Sequence, residues 1–317
     1  MDLSVVIPVY NEEESVQPLI RETTAVLNSL GKAYEIVLVD DGSTDGTYDV
    51  LAKLCRCEPQ LRVIRLKRNF GQTAAVAAGL AYSSGEVIVA MDGDGQNDPR
   101  DIPALLDKLA EGYDLVSGWR SPREDPFWSR QVPSRLANSL ISWITRVKLH
   151  DYGCTLKALH CDLARDLKLY GEMHRFIPAI AYERGARIAE LKVHHRPRRF
   201  GRSKYGIART FRVILDLITV KFLVSYATRP LHVFGLMGFI SGGIGFLLGI
   251  YLSLNKIIFG TPIGGRPLLL LAILLIFIGF QFITMGLLGE MLARTYHESQ
   301  KKPVYVIKDI LNEGKNT

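Results

Sequence analysis

Short apolar runs rich in Val and Ile recur along the N-terminal part of the chain, at Leu3 to Val9, Glu35 to Val39, Leu61 to Leu66 and Glu86 to Met91. Between them, Glu13 to Ser29, Asp45 to Cys55, Gln72 to Tyr82 and Pro99 to Glu111 carry apolar residues at helical spacing. Such alternation predicts an α/β domain with a mostly parallel sheet covered on both faces, because strands buried on two sides read as near-continuous apolar runs. Ser43, Thr44 and Asp45 supply a cap for the second helix, and Pro99 suits the first turn of the fourth.

The pattern changes towards the C-terminus. Val233 to Leu254 and Pro267 to Gly289 contain no charged residue, and each exceeds the roughly 20 residues that cross a bilayer core. Two transmembrane helices are expected, since helices of soluble proteins seldom stay apolar all round for that length. Gly235, Gly238, Gly242, Gly245 and Gly249 give the first span small residues at helical steps, which suits a closely packed hairpin. Arg212, Lys221 and Arg229 precede the spans, Arg294, Lys301 and Lys302 follow them, and the connection carries only Lys256 and Arg266. The positive-inside rule then puts both termini and the α/β domain in the cytoplasm, at the inner membrane. Met1 to Glu14 has acidic side chains and no long apolar core, which predicts no signal peptide. Gly206 to Tyr226 is apolar on most faces with Arg209, Arg212 and Asp216 on one, as for helices lying among lipid headgroups. The expected organisation is a domain over residues 1–205, juxtamembrane helices over 206–230, a hairpin over 231–292 and a cytosolic tail over 293–317.

Composition narrows the partners. Of 317 residues 22% are charged and 48% hydrophobic, an ordinary folded balance that argues against disorder. Cys55, Cys57, Cys154 and Cys161 show neither zinc-site spacing nor the density of a disulfide scaffold. A net charge of +7 is compatible with nucleic acid, a membrane surface or an anionic substrate; the two spans favour lipids and exclude nucleic acid from the reading.

In open α/β sheets ligands bind beyond the carboxyl ends of the strands. Polar residues collect there: Tyr10, Asn11 and Glu12 after the first strand, Asp40 and Asp41 after the second, Arg68 and Asn69 after the third, Asp92 and Asp94 after the fourth. Asp92-Gly93-Asp94 can turn two carboxylates toward one hard cation, Mg2+ or Mn2+, which would bridge a diphosphate. Neither this run nor Asp41 to Ala52 fits an EF-hand, because Asn97, Pro103 and Ala52 occupy its required positions. No Walker motif or GxGxxG occurs.

Val6-Ile7-Pro8-Val9-Tyr10-Asn11-Glu12, Val39-Asp40-Asp41-Gly42-Ser43-Thr44-Asp45-Gly46-Thr47 and Asp92-Gly93-Asp94-Gly95-Gln96 together resemble glycosyltransferase family 2, inverting enzymes of the GT-A fold that use nucleotide sugars. Arg68-Asn69-Phe70-Gly71, Asp151-Tyr152-Gly153-Cys154, the run from Arg198 to Tyr205 and the two spans resemble its polyprenyl-phosphate branch. The resemblance implies that Pro8, Tyr10, Glu12 and Asp41, with Asp40, hold the nucleotide of a UDP-sugar, while Asp92, Asp94 and Gln96 hold the metal. Gln72 stands where the family often has lysine, and Cys154 where some bacterial relatives have aspartate. Asp151 is then the candidate for orienting the sugar or assisting a proton, beside Asp94 at the catalytic centre. Two anionic substrates call for cations, and the candidates are Arg120, Arg130 with Ser134, and Arg198, Arg202, Ser203 and Lys204. The expected activity is sugar transfer to undecaprenyl or another polyprenyl phosphate, with a homo-oligomer, a tetramer in relatives, as the implied assembly. A processive polysaccharide synthase lacks support without a QxxRW element; a non-catalytic nucleotide-binding scaffold and a different lipid acceptor stand as alternatives.

Overall fold

The computed structural model describes residues 1–121, 142, 147–167, 169, 173–197, 230–260, 262, 267–299 and 304–312. Arg130, Ser134, Arg198, Arg202, Ser203 and Lys204, and the juxtamembrane segment 206–229, lie outside the described residues. The chain divides into two compact units, Met1–Leu217 with Pro303–Thr317, and Ile218–Lys302.

The first unit is built on an eight-stranded sheet. In chain order its elements are β1 (Leu3–Val9), α1 (Val16–Ser29), β2 (Tyr34–Asp40), α2 (Thr47–Cys57), β3 (Leu61–Leu66), α3 (Gln72–Tyr82), β4 (Val87–Ala90), a 3-10 turn (Pro99–Asp101), α4 (Ile102–Ala110) and β5 (Leu115–Arg120). There follow β6 (Lys157–His160), α5 (Cys161–Asp166), a second 3-10 turn (Met173–Phe176), α6 (Ile177–Glu183) and β7 (Ile188–Val193). The final strand, β8 (Ile307–Leu311), comes after the second unit.

The strand order is β7-β5-β6-β4-β1-β2-β3-β8. β1 pairs in parallel with β2 and β4, and β2 with β3, which gives the parallel heart that the apolar runs predict. The flanks add antiparallel pairs, β4 with β6, β6 with β5 and β3 with β8. Every residue of β2 is buried, as a strand covered on both faces requires. Leu19, Ile20 and Leu27 of α1 and Leu105 and Leu109 of α4 join Val5, Ile7, Ile36 and Leu38 in the core. α3 is Ala-rich and buried on most sides, and a Cβ at Gly79 would run into the side chain of Val6, so helix and sheet approach closely there.

Two expectations change. α1 begins at Val16 rather than Glu13, because Ser15 turns back on Glu12, donating its hydroxyl to the Glu12 carboxylate at 2.6 Å. The region 293–317 is not a plain tail. Its Ile307–Leu311 strand pairs with β3, Tyr48 donates to Asp309 at 2.6 Å, and the Asn312 amide donates to the carbonyls of Cys55 and Leu61 at 2.8 and 3.0 Å.

The second unit contains two long helices, α7 (Pro230–Phe259) and α8 (Pro267–Ser299). Phe234–Phe259 and Pro267–Gly289 are long and apolar enough to span a membrane. Gly238 and Gly279 face one another so closely that a Cβ on Gly238 would lie 2.6 Å from the Gly279 carbonyl, and Ser241 donates to the Leu275 carbonyl at 3.0 Å. Small residues and an interhelical hydrogen bond are how helices associate where no hydrophobic drive exists between them. Phe239, Leu247, Ile257, Leu270 and Phe277 remain exposed. A hairpin this apolar on its outside is that of a membrane protein.

Candidate active site

The chain runs from β1 through β2 to β3 on one side, then crosses back to place β4 on the other side of β1. This makes the β1/β4 boundary the topological switch point, where the connections diverge and leave a crevice. Pro8 lies at the end of β1, and Asp92 and Asp94 follow β4.

Around the crevice the loops are tied to one another. Asn11 adopts φ 53°; its N–H donates to the Ser43 hydroxyl at 3.0 Å and its amide oxygen accepts from the Thr44 N–H at 2.8 Å. The Glu12 N–H donates to the Thr47 hydroxyl at 2.9 Å. Asp41 accepts from the N–H groups of Phe70 and Gly71 at 2.7 and 2.9 Å, joining the ends of β2 and β3. Burial raises the Asp41 pKa, although those two bonds oppose the shift. Gly42, at φ 68°, passes so close to the Arg68 backbone that a Cβ has no room. Asp40 is fully buried; it accepts from the Ser43 N–H at 2.9 Å and lies 3.6 Å from Arg65. The structure therefore gives Asp40 a loop-holding part that the sequence does not suggest.

In the Asp-Gly-Asp run, a Cβ at Gly93 would come within 2.8 Å of the Pro8 carbonyl, so only glycine lets this turn pack against β1. Asp92 accepts from the Gln72 amide and the Thr155 hydroxyl, each at 2.7 Å, and its N–H donates to the Asn97 side chain at 3.0 Å. Its pKa is pushed up to about 6, first by burial and then by the charge of Asp94. Asp94 accepts from the Gln96 N–H at 3.1 Å. Among the described residues no cluster of three or more His, Cys, Asp or Glu side chains could cage a metal. Two mutually repelling carboxylates and hard oxygen donors alone fit Mg2+ or Mn2+ that takes its remaining ligands from water and substrate phosphate.

Beside them stands the pair that the sequence leaves apart. Arg120, at the end of β5, donates through Nε and Nη2 to Asp151 at 2.7 and 3.0 Å. Asp151 also accepts from the Gly153 N–H at 3.1 Å, and its own N–H is held by Glu190 at 3.0 Å. Burial works against the Arg120 charge, but the bonds to Asp151 outweigh it and raise its pKa. A carboxylate that is fully buried and engaged on both oxygens by a guanidinium is poorly placed to take up a proton. Asp151 thus anchors Arg120 through a two-bond pair.

Three further residues were not singled out from the sequence. Thr155 and Lys157 begin the β6 region, and His174 lies in the second 3-10 turn, bonded to Thr73 at 2.7 Å. Lys157 is 2% exposed, and burial lowers its pKa. Nothing in a short polar stretch such as Thr155-Leu156-Lys157 distinguishes a buried lysine from a solvated one. After the metal run, the Arg196 N–H donates to the Gln96 carbonyl at 2.9 Å, and its guanidinium pairs with Asp98 at 2.7 Å. His194 bonds Asp101 at 2.7 Å while His195 bridges to Asn97, so the two histidines do not share a ligand.

The glycosyl transferase family 2 model matches residues 4–168. Dodecaprenyl-phosphate galacturonate synthase of Rhizobium johnstonii is 46% identical, over 99% of this chain and 94% of that protein. Undecaprenyl-phosphate 4-deoxy-4-formamido-L-arabinose transferase of an Enterobacter species is 40% identical, over 98% of this chain and 94% of that one. Among solved structures, glucosyl-3-phosphoglycerate synthase from Mycobacterium tuberculosis in complex with Mn2+ and UDP-glucose shares the fold at a TM-score of 0.54 and 20% identity, over 69% of this chain and 78% of that one. With relatives matched end to end and the Asp-Gly-Asp turn seated at the switch point of the sheet, this chain belongs to glycosyl transferase family 2.

Proposed function

We propose that the protein transfers a sugar from a nucleotide-sugar donor, a UDP-sugar, to a polyprenyl phosphate at the cytosolic face of the membrane. The observation that carries this reading is the Asp92/Asp94 pair at the switch point, in a chain that also carries a membrane hairpin and matches polyprenyl-phosphate sugar transferases along its length. Pro8, Tyr10, Glu12 and Asp41 would line the nucleotide end of the crevice, with Asp40 keeping the β2 loop in shape through the Ser43 N–H. Asp92, Asp94 and Gln96 would hold Mg2+ or Mn2+. Such an ion, when bound, neutralises the departing diphosphate.

The acceptor phosphate is largely ionised near neutral pH, its second pKa being about 6. One of its oxygens forms the new bond to the anomeric carbon as the bond from that carbon to the diphosphate oxygen breaks, with inversion. No proton has to move, which agrees with a site whose buried Asp151 is spent on Arg120. Arg120, held rigid by that pair, offers its remaining guanidinium hydrogens to a phosphate. Arg130 and Ser134, and Arg198, Arg202, Ser203 and Lys204, would complete the grip on the two anions. The electrostatic approach of like-charged reactants is the barrier such a site must lower.

The test is turnover. Full-length protein reconstituted with undecaprenyl phosphate and a panel of UDP- and GDP-sugars should yield a sugar-phosphate polyprenol of the expected mass from one donor. Chelation of divalent ions should stop the reaction, and Asp94→Ala should reduce it by at least about a thousandfold while leaving expression and membrane insertion intact. No product from any donor, or full rate in chelator, would overturn the reading.

A further inference from the structure

The contact between the two long helices uses one side of α8. Gly238 and Gly245 of α7 pass close to the backbone at Gly279 and Ala272, and Ser241 donates to the Leu275 carbonyl. Two residues on from Gly279 is about 200° around an α-helix, which puts Gln281 on the far side. There Leu270, Leu274, Phe277, Gln281, Thr284 and Leu288 follow one another at alternating steps of four and three residues. That is the heptad spacing of a seam along which one helix packs on another. Leu270, Leu274, Phe277 and Leu288 are exposed, and so is Gln281.

Gln281 is the odd member of this stripe. Thr284 uses its hydroxyl hydrogen within the helix, toward the carbonyls of Phe280 and Gln281 at 3.1 and 2.9 Å. The Gln281 side-chain amide makes no hydrogen bond among the described residues. Its depth makes that costly. The apolar stretch Pro267–Gly289 is centred on Ile278, and at about 1.5 Å per residue Gln281 lies roughly 4.5 Å from that centre. About 10 Å of hydrocarbon then separates it from the nearer headgroups, too far for its side chain to reach them. Lipid chains offer nothing to its two N–H hydrogens or its carbonyl oxygen.

A second copy of the chain meets this need. Two copies inserted with the same topology present α8 in the same direction and at the same depth, so a two-fold axis along the membrane normal brings each Gln281 opposite the other. Each amide then donates to the other's carbonyl oxygen, a self-complementary pair, while the leucines and Phe277 pack above and below it. An unrelated span carries a polar group at this depth only by coincidence. We propose that α8 is a homodimerisation helix, its exposed seam held in register by a Gln281–Gln281 amide pair. One polar residue in an otherwise apolar seam fixes register and copy number in coiled coils, and interhelical hydrogen bonds hold spans together in lipid.

Cysteine cross-linking of the full-length protein in phosphatidylcholine vesicles reads the seam directly. Leu274→Cys and Leu288→Cys should give disulfide-linked dimers on mild oxidation, above the level of the unaltered protein with its own four cysteines. Leu271→Cys and Phe280→Cys, exposed on the flanks of the seam, should not. Energy transfer between labelled copies diluted with lipid gives the dimerisation constant, which should weaken by about 10-fold in Gln281→Leu and by much less in Gln281→Asn. Gln281→Leu removes a polar group from the hydrocarbon, so the helix inserts at least as readily and a lost dimer is not a lost fold. Equal cross-linking at seam and flank, none at the seam, or a Gln281→Leu protein that dimerises as tightly as the unaltered one would overturn the proposal.

Discussion

Replacing Asp151 with Asn keeps the size of the side chain but removes the charge that holds Arg120 in place. If the pair exists to present Arg120, the change should raise the Michaelis constant for polyprenyl phosphate on the order of tenfold and leave the pH dependence of turnover unaltered. Loss of the acidic limb of the pH profile would instead make Asp151 the proton acceptor. The sequence shows both residues but not their pairing, because 31 positions separate them and only the return of β6 beside β5 brings them together. Lys157 was illegible for a related reason: burial is a property of the finished sheet. Asp92 and Asp94 were readable, since the glycine between them and their place after an apolar run already specify a tight turn at a strand end.

Among the elements, β1, β3 and α3 were legible to the residue, because Leu3–Val9 and Leu61–Leu66 are compact apolar runs and Gln72–Tyr82 is rich in helix-forming alanine. β6 and β8 were not. Each is short, and Lys157, Lys308 and Asp309 interrupt their apolar pattern. Beyond its pairing with β3, the edge strand is held by side chains, with Tyr48 donating to Asp309 while Arg65 stacks over the Tyr48 ring at 3.9 Å. The Tyr48 pKa is pushed up to about 12, by burial first and then by Asp309. A phenol with a raised folded-state pKa contributes stability that is complete below pH ~10, its unfolded value, and is lost as pH climbs towards 12. Thermal midpoints should therefore fall between pH 10 and 12, and Tyr48→Phe should flatten that part of the curve. At neutral pH the same substitution should cost about 1 kcal/mol, the net worth of an ordinary hydrogen bond, or a few degrees in Tm. An unchanged alkaline slope would show that β8 does not depend on this contact.

For the whole molecule, the decisive fact is connectivity. The chain leaves the sheet after β7, makes two apolar helices, and re-enters the same sheet as β8. If both helices span, a chain returning to its own domain must cross the bilayer an even number of times, in keeping with the distribution of Arg and Lys around the spans. Short epitope tags at either terminus should accordingly be protected from external protease in sealed spheroplasts and cleaved only after lysis. A tag between Phe259 and Pro267 should behave in the opposite way, and accessibility of an intact-cell terminus would refute the two-span topology.

β8 also sets an order of events during biosynthesis. Residues 304–312 are synthesised after both helices. Until then β3 is an open margin, with unpaired N–H and C=O groups able to recruit a foreign strand. A chain halted before β8 would leave the sheet half-finished and prone to clumping.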